Sequence, residues 1–356
     1  MNEILHEISA KVAFSPTCNL RCVYCRGSGS DTTLPASMED FRRQPLETGS
    51  ISTEVLLKIL QHLHNEGLRQ IRPTGGEPML RRDWDMVVTE AARMGYSNVD
   101  ITTNGILLEN YLENHGSLPE GLSMVKISLD THDPKKFKEI TGGGDLKRVI
   151  EGIKAINGRV YTRANRVLLR SEMNERELVE FIDFCQNIGL NGIQYLDLVH
   201  YSNLPSAGPR FFENEFVAFP EFRQIAEKTI GIKFAVMEKP DTGVVFHQAV
   251  LPNGFKITFK DSTKTKRDET CQTCPVYCQE GRCLVRIATD GNLTLCPDYK
   301  GELPSFNVLD AINDGTLHNE MNRIAEIFIS AKQVPTLKDF TQRHGLRIQQ
   351  DGFIGQ

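Results

Sequence analysis

The chain has 356 residues, 40% apolar and 24% charged, with 41 Lys plus Arg against 46 Asp plus Glu and a formal net charge of −5. That is the make-up of a globular protein with room for two domains or one large one, and the slightly acidic balance argues against a nucleic-acid partner. No window reaches the ~18 apolar residues a membrane span needs, and Met1-Asn2-Glu3 is not a secretory n-region, so the cytoplasm is the expected compartment and no membrane partner is expected.

Along the chain, short apolar runs bounded by Gly, Pro, Asn or Asp alternate with amphipathic stretches, the pattern of a parallel sheet. Strands are predicted over residues 11–14, 70–73, 99–102, 125–129, 160–169 and 192–199. Helices are predicted over 52–65, 82–94, 133–139, 146–156 and 174–188, with Ser52 and Asn174 as caps. Six such units make an α/β fold, a curved sheet or partial (β/α)6 barrel. Beyond about Tyr201 the pattern changes. Pro205, Gly208, Pro209 and Pro220 break the chain, and strands near 234–237 and 255–259 lack intervening helices, so a smaller C-terminal domain is expected.

Eight of the nine cysteines fall in two groups, Cys18, Cys22 and Cys25, then Cys271, Cys274, Cys278, Cys283 and Cys296. In a reducing compartment such groups point to metal. Three thiols on one loop close on a single iron–sulfur cube and leave its fourth iron without a protein ligand. A zinc knuckle would need a fourth ligand, and His62 and His64 lie well downstream on a helix. The ninth cysteine, Cys185, shares a helix face with Phe181, Phe184 and Ile188 and reads as core.

The run from Cys18 to Cys25 resembles the CxxxCxxC signature of the radical S-adenosylmethionine enzymes, with Tyr24 before the last cysteine. Thr74-Gly75-Gly76-Glu77-Pro78, after the second predicted strand, is similar to that family's GGEP motif. Two glycines there permit close backbone approach, and a carboxylate pairs with an ammonium. Thr102-Thr103-Asn104-Gly105 and Ser128-Leu129-Asp130 resemble further cofactor-contacting positions, although both also suit ordinary turns. All lie at strand C-terminal ends, where α/β barrels assemble active sites.

The resemblance implies a 4Fe-4S cluster on Cys18, Cys22 and Cys25, with S-adenosylmethionine held by Tyr24, Gly75, Gly76, Glu77, Pro78, Thr103, Asn104, Ser128 and Asp130. It further implies an electron donor such as flavodoxin or ferredoxin, and a 5′-deoxyadenosyl radical that abstracts hydrogen from a small-molecule substrate. It divides the chain into a barrel over 1–220 and an auxiliary iron–sulfur domain over 221–356.

Between Cys283 and Cys296, residues 284–288 and 292–295 flank the turn Thr289-Asp290-Gly291, a hairpin that brings the two cysteines together. A zinc ribbon also suits four cysteines. The hairpin resembles the auxiliary-cluster domain found in GTP 3′,8-cyclases and in peptide maturases, and implies a second 4Fe-4S cluster on the later cysteines. Ile71-Arg72-Pro73 through Arg82-Asp83 and Ile140-Thr141-Gly142 are similar to the cyclase branch.

Of that branch's basic set, Lys11, Arg72, Arg163 and Arg286 are matched. Gln70 and Gln194 stand where it carries Lys or Arg, and Val285 replaces one of its paired arginines. The chain ends Phe353-Ile354-Gly355-Gln356, without the cyclase's Gly-Gly tail, and it has five later cysteines where the cyclase uses three. Substrate contacts are therefore expected from Lys11, Arg72, Arg163, Gln194 and Arg286, with Tyr195, Asp197, His200 and Tyr201 nearby. Asp197 reads equally as a base or a structural carboxylate.

The insertion 27–50 is a candidate lid, with Arg42 and Arg43 as anion contacts. The substrate expected is a nucleotide or sugar derivative. A ribosomal-peptide maturase is the alternative, against which stands the lack of a peptide-recognition domain before the first strand. A non-catalytic metal-binding or electron-transfer protein is the second alternative.

Overall fold

A computed structural model of the chain describes residues 2–22, 50–199, 209–237, 244–272, 274, 277, 282, 284–296, 303–333, 340–342 and 345. Helix α1 (Asn2–Glu7) leads into β1 (Ser9–Ser15), the first of six parallel strands. The others are β2 (Gln70–Gly75), β3 (Asn98–Thr103), β4 (Leu122–Ser128), β5 (Tyr161–Val167) and β6 (Gly192–Leu196). Between them run α2 (Thr53–Asn65), α3 (Trp84–Arg93), α4 (Leu108–His115), α5 (Pro134–Ile140), α6 (Leu146–Ile156) and α7 (Glu175–Asn187).

The predicted caps form. Ser52 Oγ accepts from Val55 N at 3.3 Å, and Asn174 Oδ1 accepts from Glu177 N at 2.9 Å, each satisfying an otherwise orphaned amide of the first turn. Helix α6 buries Leu146, Val149, Ile153 and Ile156, one stripe at helical spacing that packs onto the sheet.

Later segments extend this sheet at both ends. After α8 (Pro209–Glu215) and α9 (Phe219–Ile230), strands β7 (Ala235–Met237), β8 (Val245–Val250) and β9 (Lys256–Asp261) form an antiparallel meander whose β9 lies parallel to β6. At the opposite edge β11 (Leu284–Ile287) lies parallel to β1 and continues antiparallel into β12 (Asn292–Thr294) and β13 (Ser305–Asn307). Strands β10 (Lys266–Arg267) and β14 (Lys332–Gln333) pair separately, and α10 (Val308–Asn313) and α11 (Leu317–Ser330) follow β13. The result is a partial (β/α)6 barrel whose sheet does not close. Among the described residues no helix is long and apolar enough to cross a membrane.

The strands are two-faced, as a period of two requires. Val12, Ile71, Val99, Ile101, Val125, Ile127, Ala164 and Ile193 are buried in the apolar core. The alternate residues, Lys11, Arg72, Asp100, Lys126, Arg163 and Gln194, face the other way, into the lumen.

The sequence pattern predicts neither α1 nor α4, nor the helices from α8 onward. The Asn104-Gly105 turn hides α4, which starts without a side-chain cap and ends at Gly116 in the left-handed region (φ 75°). Pro209 and Pro220, read from sequence as chain breaks, are the first residue of α8 and a first-turn residue of α9, where a missing N–H loses no helical bond.

Candidate functional site

The C-terminal ends of β1 to β4 meet at the loop carrying Cys18 and Cys22. Gly76 N donates to Ser15 O at 2.8 Å and Glu77 N to Thr17 O at 2.7 Å, so the β1–β2 pairing continues to the residue before Cys18. No side chain fits there. A Cβ on Gly76 would lie 1.9 Å from Thr17 O and 2.9 Å from Cys18 N. One on Gly75, whose φ is +123°, would lie 2.4 Å from Ser15 O. Both glycines therefore serve close backbone approach, and Gly75 also supplies a conformation L-residues avoid. From the other side Arg21 N donates to Thr141 O at 2.9 Å, and a Cβ on Gly142 would come 2.6 Å from Arg21 O. The Thr141-Gly142 corner thus seats the far end of the loop.

Glu77 is 1% exposed. Its carboxylate accepts from Thr103 Oγ1 at 2.7 Å, Asn104 N at 2.8 Å and Met79 N at 3.1 Å. Burial pushes its pKa up to about 7 against these hydrogen bonds. Pro78, also buried, opens the short turn that Glu77 caps. Asn104 Nδ2 donates to Asn19 Oδ1 at 2.7 Å and lies 3.8 Å from Cys18 Sγ, which Leu20 N approaches at 3.4 Å. Cys22, Asn104, Ser128 and Asp130 line one small cavity of about 20 Å³ with Phe137 and Thr141. One oxygen of Asp130 accepts from Val167 N at 2.8 Å and fixes the end of β5.

Below these strand ends the lumen is basic. Lys11 pairs in register with Arg72 on one side and Arg286 on the other, and Lys126 with Arg163. Lys126 and its partner Asp100, 2.7 Å away, were missed in the sequence, although Lys126 sits between Val125 and Ile127 at the alternation that exposes it to the lumen. Gln70, by contrast, is tied to the lower rim by Ser9 Oγ at 3.1 Å and His6 O at 3.4 Å. Gln194 is 5% exposed, and its Oε1 has no partner among the described residues.

Tyr195 points the opposite way, against Phe222, with ring centroids 4.8 Å apart. Asp197 is 1% exposed and accepts from Ser262 N at 3.1 Å and from Ser262 Oγ. Burial pushes its pKa up to about 7, with the Ser262 hydrogen bond opposing. Ser262 Oγ lies 2.6 Å from the Tyr277 hydroxyl, so this carboxylate braces Tyr277 against the barrel. That geometry favours the structural reading of Asp197.

Of the later cysteines, Cys271, Cys274 and Cys296 are half-buried, and Cys274 N donates to Cys271 O at 3.3 Å. The charges of Cys271 and Cys296 both act on the Arg282 guanidinium, which also bonds Asp268. Two thiols beside one cation suit thiolate ligands, the state that binds metal. Cys185 is fully buried and burial raises its thiol pKa, as core placement requires. Tyr24, Cys25, Cys278, Cys283, His200, Tyr201 and residues 27–49 of the insertion lie outside the described residues.

An open parallel barrel with a three-cysteine loop at its strand ends defines the class. The profile of the Radical SAM superfamily matches residues 12–185. A "Probable GTP 3′,8-cyclase" of Methanocaldococcus jannaschii is 31% identical over 81% of this chain and 84% of its own length. A "Molybdenum cofactor biosynthesis protein 1" of Drosophila melanogaster is 29% identical over 88% of this chain, which spans half of that protein. Among solved structures, SuiB of Streptococcus suis with its precursor peptide SuiA superposes with a TM-score of 0.55 at 16% identity, covering 88% of this chain and 66% of SuiB, which shows the shared fold. The chain belongs to the radical S-adenosylmethionine superfamily, in its GTP 3′,8-cyclase-like branch. It is an enzyme, and membership implies a 4Fe-4S cluster and S-adenosylmethionine; the non-catalytic alternative falls.

Proposed function

We propose that the enzyme abstracts hydrogen from an anionic small molecule, a nucleotide or a sugar derivative, bound in the lumen beneath the cysteine loop. The observation that carries this reading is the basic lining of Lys11, Arg72, Lys126, Arg163 and Arg286 on the strand face opposite the apolar core. Cations held in a low-dielectric interior, with Asp100 the acid among these described residues, favour an anionic guest.

In this reading Cys18, Cys22 and Cys25 hold the cluster, and Gly75, Gly76 and Glu77 receive the methionyl end of S-adenosylmethionine with Tyr24, Pro78, Thr103, Asn104, Ser128 and Asp130 around it. When bound, the cluster and S-adenosylmethionine together supply a 5′-deoxyadenosyl radical. The protein's own part is positional. The Gly76–Thr17 and Gly142–Arg21 approaches hold the cysteine loop still, Glu77 and Asn104 fix the strand ends beside it, and the lumen cations orient the substrate so that one hydrogen faces the reactive carbon.

Four of the five later cysteines, Cys271, Cys274, Cys278, Cys283 and Cys296, are proposed to hold a second 4Fe-4S cluster, Arg282 stabilising its thiolates, with flavodoxin or ferredoxin as electron donor. Domain limits of 1–220 and 221–356 are likewise proposed as a division of labour, since β9 and β11 from the second segment join the sheet of the first.

The test is anaerobic. Reconstituted, dithionite-reduced enzyme is given S-adenosylmethionine and GTP, and products are read by mass spectrometry. The expected result is 5′-deoxyadenosine formed together with a modified nucleotide. 5′-Deoxyadenosine that forms while GTP is untouched would move the substrate away from GTP, and failure with every nucleotide offered would overturn the nucleotide reading.

A further inference from the structure

Four charged side chains from adjacent strands meet in mid-lumen, Arg72 on β2, Asp100 on β3, Lys126 on β4 and Arg163 on β5. The Lys126 Nζ to Asp100 Oδ2 contact is 2.7 Å, with side chains 7% and 15% exposed. Arg72 and Arg163 act electrostatically on both members of this pair. Burial works to raise the Asp100 carboxyl, but Lys126 and the two arginines hold it below the usual range. Burial, then Arg72 and Arg163, drives the Lys126 ammonium well down against the pull of Asp100.

One carboxylate thus faces two guanidinium groups and an ammonium whose charged form they disfavour, so an anion entering this desolvated setting would relieve the like-charge repulsion. Arg163 Nε, a hydrogen-bond donor, has no partner among the described residues. A buried donor left unpaired costs free energy, so such a cluster suits a guest that brings negative charge and acceptor oxygens.

We propose that Lys126, oriented by Asp100, joins Arg72 and Arg163 in binding one phosphomonoester group of the substrate, and so sets a preference for a monophosphate over a triphosphate. This rests on the reading that an anionic substrate occupies the lumen. A phosphomonoester carries about two negative charges at neutral pH, which would offset Arg72 and Arg163 and favour the charged form of Lys126. A triphosphate brings further charge that needs cations elsewhere. Gln70 and Gln194 are neutral, Lys260 acts on Asp197, and Lys11 and Arg286 stand on β1 and β11, three and four strands away from Lys126 in the sheet. Lys126 is therefore a specificity-determining contact that the motif comparison alone does not supply.

Binding to the reconstituted full-length protein tests this. Titration calorimetry with guanosine, GMP and GTP is expected to give GMP binding at least as tight as GTP and about tenfold or more tighter than guanosine. Lys126→Gln is expected to lose roughly 10- to 100-fold in GMP affinity with guanosine little changed, and Lys126→Arg to retain most of it. Because Lys126→Gln strands Asp100 and could unfold the protein, the double variant Asp100→Asn/Lys126→Gln, which removes both charges, is measured beside it. Inorganic phosphate should raise the melting temperature of the wild type and not of the double variant.

Phosphate protection of the wild type alone, with no nucleotide bound, would sink the nucleotide reading and leave this site standing. Equal GMP and phosphate binding by wild type and double variant, or GTP binding tenfold tighter than GMP, would overturn the proposal.

Discussion

Replacing Gly76 with alanine is expected to abolish iron loading at the cysteine loop and, with it, cleavage of S-adenosylmethionine. The added methyl would sit 1.9 Å from Thr17 O and 2.9 Å from Cys18 N, and both obstacles are backbone, unable to swing aside as a side chain could. Relief requires the loop to move off the β2 end, breaking the Glu77 N to Thr17 O bond at 2.7 Å that sets the approach to Cys18. Overpacking of this kind costs about 1–3 kcal/mol where neighbours can yield and more where they cannot. The measurements are iron content after anaerobic reconstitution and 5′-deoxyadenosine yield, with the melting temperature of the unloaded protein as a fold control. Wild-type iron content in Gly76→Ala would show that the loop is not seated on this glycine.

The second large effect is expected at Glu77. Its folded-state pKa is raised by burial to about 7 from a reference of 4.5. A carboxyl raised on folding stabilises the protein fully below its unfolded pKa, and that contribution is lost as pH rises through the folded pKa. The unloaded protein should therefore lose stability between about pH 4.5 and 7, at up to about 1.4 kcal/mol per pH unit from this group. Asp197, raised likewise to about 7 by burial, acts in the same window and the same direction.

Binding an ammonium needs the ionised form, so affinity for S-adenosylmethionine should rise across this window and level off above it. Glu77→Gln should weaken that affinity by roughly 10- to 100-fold at pH 8, the loss of a charge-assisted contact. It should also flatten the pH dependence of both binding and stability. Calorimetry from pH 5.5 to 8.5 reads both. A pH-independent wild-type affinity would mean that Glu77 stays ionised throughout.

The peptide-maturase alternative draws on likeness of fold, and the shared fold with SuiB at 16% identity carries no substrate information. The lumen separates the readings better, because an unfolded peptide does not require a focused cluster of buried cations.

The cysteine loop, the two glycines, Glu77, Asn104, Ser128 and Asp130 were all legible in the sequence. Each belongs to a short string at a strand end, and the strand–helix alternation places successive strand ends side by side without further information. The strand-face alternation was legible too, which is why Gln194 and Tyr195 separate as expected.

What the tertiary structure decided depends on contacts between segments distant in sequence. Parallel attachment of β11 to β1 and β9 to β6 cannot be read from hairpin patterns, because it is set by which sheet edge remains open once β1 to β6 have paired. The Asp197–Ser262–Tyr277 brace spans 80 residues of sequence and exists only after that attachment. The pairing of Lys126 with Asp100 depends on register across β3 and β4, where Lys126 stands opposite Thr102 and its long side chain reaches back to Asp100. A single lysine between two apolar residues looks like a solvated strand face. Only closure of the helices around the outside, which leaves the charged face turned inward, makes it part of a site.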